Sequence, residues 1–98
     1  MSETLRKLAP FLLRARKIAT GREKLKKNAR NLAFLLVTDD LSENSLSQLL
    51  RDFQCPMYRI GTMETMKELF AFENTKIAGV FRSPLADSIE PTLADCRL

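Results

Sequence analysis

Leu32-Ala33-Phe34-Leu35-Leu36-Val37 is the longest uninterrupted apolar run in the chain. Six apolar residues without polar alternation suit a strand covered on both faces, so this stretch predicts the central strand of a sheet with helices on either side. Downstream, Thr38-Asp39-Asp40 ends the strand and Ser42 is placed to cap a helix over residues 43–54, with Leu46, Leu49, Leu50 and Phe53 on one face. Pro56 opens a second strand over 57–60. Gly61 turns the chain, Thr62 can cap a helix to about Phe70, and Asn74 precedes a strand over 76–81. Ser83-Pro84 can start a short helix through Ile89, because proline suits the first helical position. Residues 91–98 read as a C-terminal tail after a single domain over residues 1–90.

Upstream of the apolar run, Leu5, Leu8, Leu12 and Ala15 recur at helical spacing, with Phe11 and Leu13 widening the stripe. Pro10 predicts that this helix is kinked there or begins there. Residues 17–20 read as a connector or edge strand ending at Gly21, and residues 22–31 as a second helix with Leu25 and Ala29 inward. Helices alternating with strands in this order favour an α/β fold, a three-layer α/β/α sandwich around a mixed sheet of about four strands.

The composition, 45% hydrophobic and 29% charged over 98 residues, is that of an ordinary globular domain. The apolar run is far shorter than the roughly 20 residues a bilayer span needs, and Met1-Ser2-Glu3-Thr4 lacks the basic start of a secretory signal. A cytoplasmic protein without a membrane role is expected. Cys55 and Cys96 are far apart and histidine is absent, so a zinc site lacks its usual ligands and both thiols are expected free and reduced.

Charge is distributed unevenly. Residues 1–31 carry ten Lys or Arg against Glu3 and Glu23, a net +8, whereas the remainder carries six against ten acids, a net −4. Such asymmetry points to a polyanionic partner against one part of the molecule. The densest segment is Arg14-Ala15-Arg16-Lys17-Ile18-Ala19-Thr20-Gly21-Arg22-Glu23-Lys24. A glycine before a helix permits close backbone approach, and the first helical N–H groups suit a phosphate. Arg22, Lys26 and Arg30 recur at i, i+4, i+8, with Lys24 and Lys27 elsewhere on the exposed surface.

This segment resembles the kink-turn-binding ribosomal proteins of the L-seven-Ae and L-thirty-e type, particularly their small bacterial members. Their Arg-Ala-Gly-Lys motif, an apolar residue, two variable positions and a helix-opening glycine are similar to residues 14–21, with Arg16 at the place of the motif's glycine. Asp40-Leu41-Ser42-Glu43-Asn44-Ser45 is similar to the family's Asp-Ala-Ser, variable residue, Asn-Thr loop, and Cys55-Pro56-Met57-Tyr58 with Thr62 and Met66 to its Val-Pro strand and capped helix. The likeness covers about residues 8–81. It implies an α/β/α sandwich whose RNA surface is built from three loops, residues 20–24, 40–44 and 70–76. Where the family carries an Asn-Glu pair for sheared base pairs, this chain has Glu23 and Lys24, and Lys67 replaces a glycine of the capped helix.

The expected function is therefore binding of structured RNA, of kink-turn or ribosomal type, with ribosomal proteins as further partners and no DNA. The expected contacts are Arg14, Arg16, Lys17, Thr20, Gly21, Arg22, Glu23, Lys24, Lys27, Ser42, Glu43, Asn44, Lys67 and Lys76. A protein-interaction domain on the same fold is the alternative, and a nucleotide-dependent enzyme ranks third. No histidine is present for acid–base work, and the single glycine of residues 20–24 falls short of a P-loop, so neither catalysis nor a cofactor is expected. Asp39 and Asp40 read as capping residues rather than magnesium ligands. Phe34, Phe53 and Phe81 read as core, as do Phe70 and Phe72 beside the third loop.

Overall fold

The computed structural model describes residues 2–98. The elements are α1 (Glu3–Arg14), β1 (Ile18–Ala19), α2 (Arg22–Lys27), a 3₁₀ turn (Ala29–Asn31), β2 (Leu32–Val37), α3 (Glu43–Asp52), β3 (Met57–Arg59), α4 (Met63–Phe70), β4 (Ile77–Phe81), α5 (Pro84–Ile89) and a 3₁₀ segment (Glu90–Cys96). The four strands form one mixed sheet in the order β1-β4-β2-β3. Strand β2 runs parallel to β3 and antiparallel to β4, and β1 is antiparallel to β4 on the far edge.

The apolar run is the central strand because both of its faces are needed. Phe34 and Leu36 join the side chains of α1, α4 and α5 in one cluster. Leu32, Leu35 and Val37 join Leu25 of α2 and Leu49 of α3 in the other. The register shifts between Leu32 and Phe34, and this irregularity lets Leu32 and Leu35 share a face although they are three residues apart. The result is the three-layer α/β/α sandwich, with all of Leu32, Phe34, Leu35, Leu36 and Val37 at most 1% exposed.

Local chemistry explains most boundaries. Ser42 and Ser83 accept from the backbone N–H groups of Ser45 and Ala86, and Thr62 forms a capping box with Thr65. Ser2 caps α1, which continues through Pro10 to Arg14. Pro10 is exposed, so the hydrogen bond it forgoes lies on the wet side of the helix. The buried stripe of α1 is Leu5, Ala9 and Leu12; the expected Ala15, Phe11 and Leu13 are exposed. After Ala15 the chain turns through Arg16 at φ 56°, with the Lys17 N–H donating to the Leu12 carbonyl at 2.9 Å. The position that the family motif gives to glycine is thus a left-handed helix terminus.

Two expectations are corrected. The second helix stops at Lys27 rather than Asn31, because Asn28 closes it with a side-chain bond to the Lys24 carbonyl, and Ala29 is exposed. Nor are residues 91–98 a loose tail. Leu93 is buried in the core, Arg97 bridges to Tyr58, and the Leu98 N–H donates to the Met57 carbonyl at 2.9 Å. A 3₁₀ segment has no amphipathic stripe to betray it, so one buried leucine and one strand edge hold it in place.

Gly79 of β4 is the tightest point between sheet and helix. A Cβ there would stand 2.5 Å from Leu25 Cδ2 and 2.8 Å from Leu32 Cδ2, both fully packed. Gly79→Ala is expected to cost roughly 1–3 kcal/mol by overpacking, and Leu35→Ala roughly 2–5 kcal/mol by leaving a cavity. Urea denaturation measures both, and a loss under about 1 kcal/mol for Leu35→Ala would contradict the central place of β2.

The C-terminal segment gives a pH test. Burial, and then the 2.7 Å hydrogen bond donated to Glu90 and that carboxylate's charge, push the Tyr58 phenol up to about 12. A pKa raised in the folded state stabilises the fold below the ordinary tyrosine value and stops doing so as pH rises through the raised one. Stability should therefore fall between pH 10 and 12 in the parent, and fall less in Tyr58→Phe when both are unfolded by denaturant at each pH.

Candidate functional site

One end of the sheet collects the loops that the sequence singled out. Strands β2 and β3 end there, β1 leads there into α2, and β4 begins there. Residues 20–22, Leu41 and residues 74–77 line a single shallow groove of about 310 Å³. Gly21 stands at φ 94°, with open space around it, so its glycine serves the backbone turn into α2. Asn74 at φ 48° and Ala71 at φ 60° bend the third loop, which is anchored by the Thr38 N–H donating to the Lys76 carbonyl at 3.0 Å.

The polar side chains of this end are differently employed. Ser42 is used as the α3 cap, leaving Glu43 and Asn44 exposed in the first turn. Asp40 accepts from the Met63 N–H at 2.6 Å, so it caps α4 rather than the helix that follows it in sequence. Asp39 pairs with Arg59 at 3.3 Å. Arg22 donates to Gln48 at 3.1 Å, tying α2 to α3, and Lys67 pairs with Glu73 at 3.5 Å. Lys24, Lys27 and Lys76 are exposed and belong to none of the ion pairs among the described residues. Glu23 is exposed beside them. Helix α2 has only six residues, so its first turn adds little dipole and the site rests on side-chain charge.

Not all the expected contacts meet. Ile18 pairs with Val80 and Ala19 with Gly79, while the Phe81 N–H donates to the Lys17 carbonyl. Lys17 therefore lies at the end of β4 and Lys76 just before its start, separated by the strand's five residues, about 16 Å. Arg14, Arg16 and Lys17 thus belong to the opposite side from the loop groove. Arg14 lies 5.6 Å from the ring centre of exposed Phe11. Phe70 is buried and stacks on half-buried Phe72, so both belong to the core rather than to an exposed platform.

A second groove, of about 860 Å³, lies at that other end and includes Arg30, Arg51 and Arg82. Sequence reasoning missed it because Arg51 and Arg82 are isolated in sequence, and the supposed stack of Arg22, Lys26 and Arg30 breaks where α2 ends at Lys27. Cys55, also on this groove, is half-buried, and burial pushes its thiol up, which disfavours the nucleophilic thiolate. Among the described residues no group of three or more His, Cys, Asp or Glu is gathered as a metal site would need. No helix among the described residues is long and apolar enough to cross a membrane.

No family model matches the chain, and no curated protein does. A solved structure of a protein with unknown function from Bacillus halodurans C is similar, with a TM-score of 0.80 over 95% of this chain and 98% of that one, at 17% identity. That likeness is one of fold.

Proposed function

We propose that this protein binds structured RNA through the loop end of its sheet, as a binding module rather than a catalyst, acting in the cytoplasm. The observation that carries the reading is the convergence of residues 20–22, Leu41 and residues 74–77 on one groove flanked by exposed cations. The three loops are the ones that the resemblance to kink-turn-binding ribosomal proteins implies, and they come from well-separated parts of the chain. Lys24, Lys27 and Lys76 are available to phosphates, whereas Asp39 and Asp40 are held by Arg59 and by the α4 N-terminus. Neutralised phosphates release counterions, so cations in this arrangement bind RNA without needing a rigid fit.

Glu23 and Lys24 stand where the family carries its Asn-Glu pair. A carboxylate there repels phosphate and assists only by accepting a hydrogen bond from a base, so Glu23 is the residue that would confer selectivity. The partner on this reading is a kinked or ribosomal RNA, with neighbouring ribosomal proteins completing the contacts.

Arg22→Gln, Lys24→Gln and Lys76→Gln combined should weaken binding to a kink-turn RNA and to a straight duplex by similar factors and reduce the salt slope by roughly two to three units. Fluorescence anisotropy across a salt series measures both. Equal affinity of parent and variant would reject this surface and favour a protein-interaction role for the fold.

A further inference from the structure

The larger groove opens where β2 and β3 begin, between the two helical layers. Arg30 and Arg51 stand on the side of α2 and α3, Asp87 and Glu90 on the side of α5, and Arg82 follows β4. The Arg82 N–H donates to the Asn31 carbonyl at 2.8 Å, which puts Arg82 and Arg30 on neighbouring backbone segments. On the other flank of Arg82, Phe81 is bonded to Lys17. The sheet order therefore lays Lys17, Arg82 and Arg30 side by side across one end of the molecule, and Arg51, from the last turn of α3, lines the same groove as Arg30 and Arg82. The three strands β1, β4 and β2, at about 4.8 Å spacing, make the row about 10 Å long, more than a single phosphate spans.

These cations lack internal partners although acids are close by. None of the four belongs to an ion pair among the described residues. Of the three carboxylates on the groove, Asp52 is taken by Lys26 at 3.2 Å and Glu90 accepts the Tyr58 hydroxyl at 2.7 Å. Asp87 and Glu90, whose charge the neutral Tyr58 hydroxyl does not cancel, are set against three guanidinium groups, so the groove keeps an excess of one positive charge. The lining also includes Ala33, Phe53 and Pro56, whose side chains carry no charge. Guanidinium forks match phosphate oxygens two at a time. Rows of cations along an open groove are how proteins follow a single strand without reading its sequence.

We infer that this arginine row binds the phosphodiester backbone of an unpaired RNA strand, a second contact on the end of the sheet opposite the loop groove. The inference rests on the RNA-binding reading but uses none of its residues. A strand leaving a structured RNA held at the loops would be caught at the other end, so one small domain grips both the folded and the unpaired parts.

The test titrates the isotope-labelled full chain with a uridine hexanucleotide, which has no structure of its own, and in parallel with a kink-turn RNA, at several salt concentrations. Amide shifts with the hexanucleotide should concentrate at residues 29–33, 54–55 and 82. Arg30→Gln, Arg51→Gln and Arg82→Gln combined should weaken hexanucleotide binding at least about tenfold and lower its salt slope by about two units, while kink-turn affinity changes less than about twofold. Arg51→Glu alone, on an exposed last turn of α3, supplies the same reading if the triple variant does not fold, with a loss of at least about fivefold. Shifts confined to the loop groove, or unchanged hexanucleotide affinity in a folded variant, would overturn the inference and leave the loop site standing. Failure of both RNAs to bind would overturn the two together.

Discussion

Strand β2 is hydrogen-bonded along both edges and covered on both faces, and each of those four surfaces fixes the place of something else. Its parallel partner β3 obliges the chain to cross over by way of α3, and its antiparallel partner β4 brings residues 74–77 back to the end where β2 stops. Its two faces divide the core into separate clusters. The shift between Leu32 and Phe34 decides which leucine goes to which cluster, and a one-residue slip would exchange them. The ends of this strand are also where both grooves lie, so the geometry of binding is inherited from a purely apolar stretch.

Much of this was legible in residue order. Leu32 to Val37, lacking polar alternation, pointed to a doubly covered strand, and Ser42, Thr62 and Ser83-Pro84 announced the starts of α3, α4 and α5 through their capping chemistry. What escaped was structure whose cause is tertiary. Ala29 and Ala15 fit an inward stripe by spacing, yet the helices end before reaching a surface that would cover them. Residues 91–98 carry no periodicity, and only the edge of β3 and the cavity that Leu93 fills give them a place.

The candidate site was half legible for the same reason. Motif order brought out the loop segments because turn residues are local signals, and residues 20–22 and 74–77 do meet with Leu41. The run from Arg14 to Lys24, continuous in sequence, is divided in space by the edge strand β1, which carries its two ends to opposite sides of the sheet. Arg82 meets Arg30 only through the order of strands, and Arg51 joins them from the last turn of α3. Arg16 shows what such placement demands: a charged residue holds a left-handed turn that glycine would occupy with less strain, so this corner has a cation at some expense of backbone energy.

The 3₁₀ segment has one more consequence, for how the molecule behaves in a crowded solution. A sheet of four strands has two edges, and each is a template on which another chain could pair. On one side β1 is only two residues long and offers little to copy. On the other, the bridge from Arg97 to Tyr58 and the bond from Leu98 to Met57 occupy the free side of β3. Residues 90–98 are therefore a guard against edge-to-edge aggregation as much as a piece of the core, and a chain that loses its grip there would expose the edge of a short strand, with Met57 and Tyr58, to its neighbours.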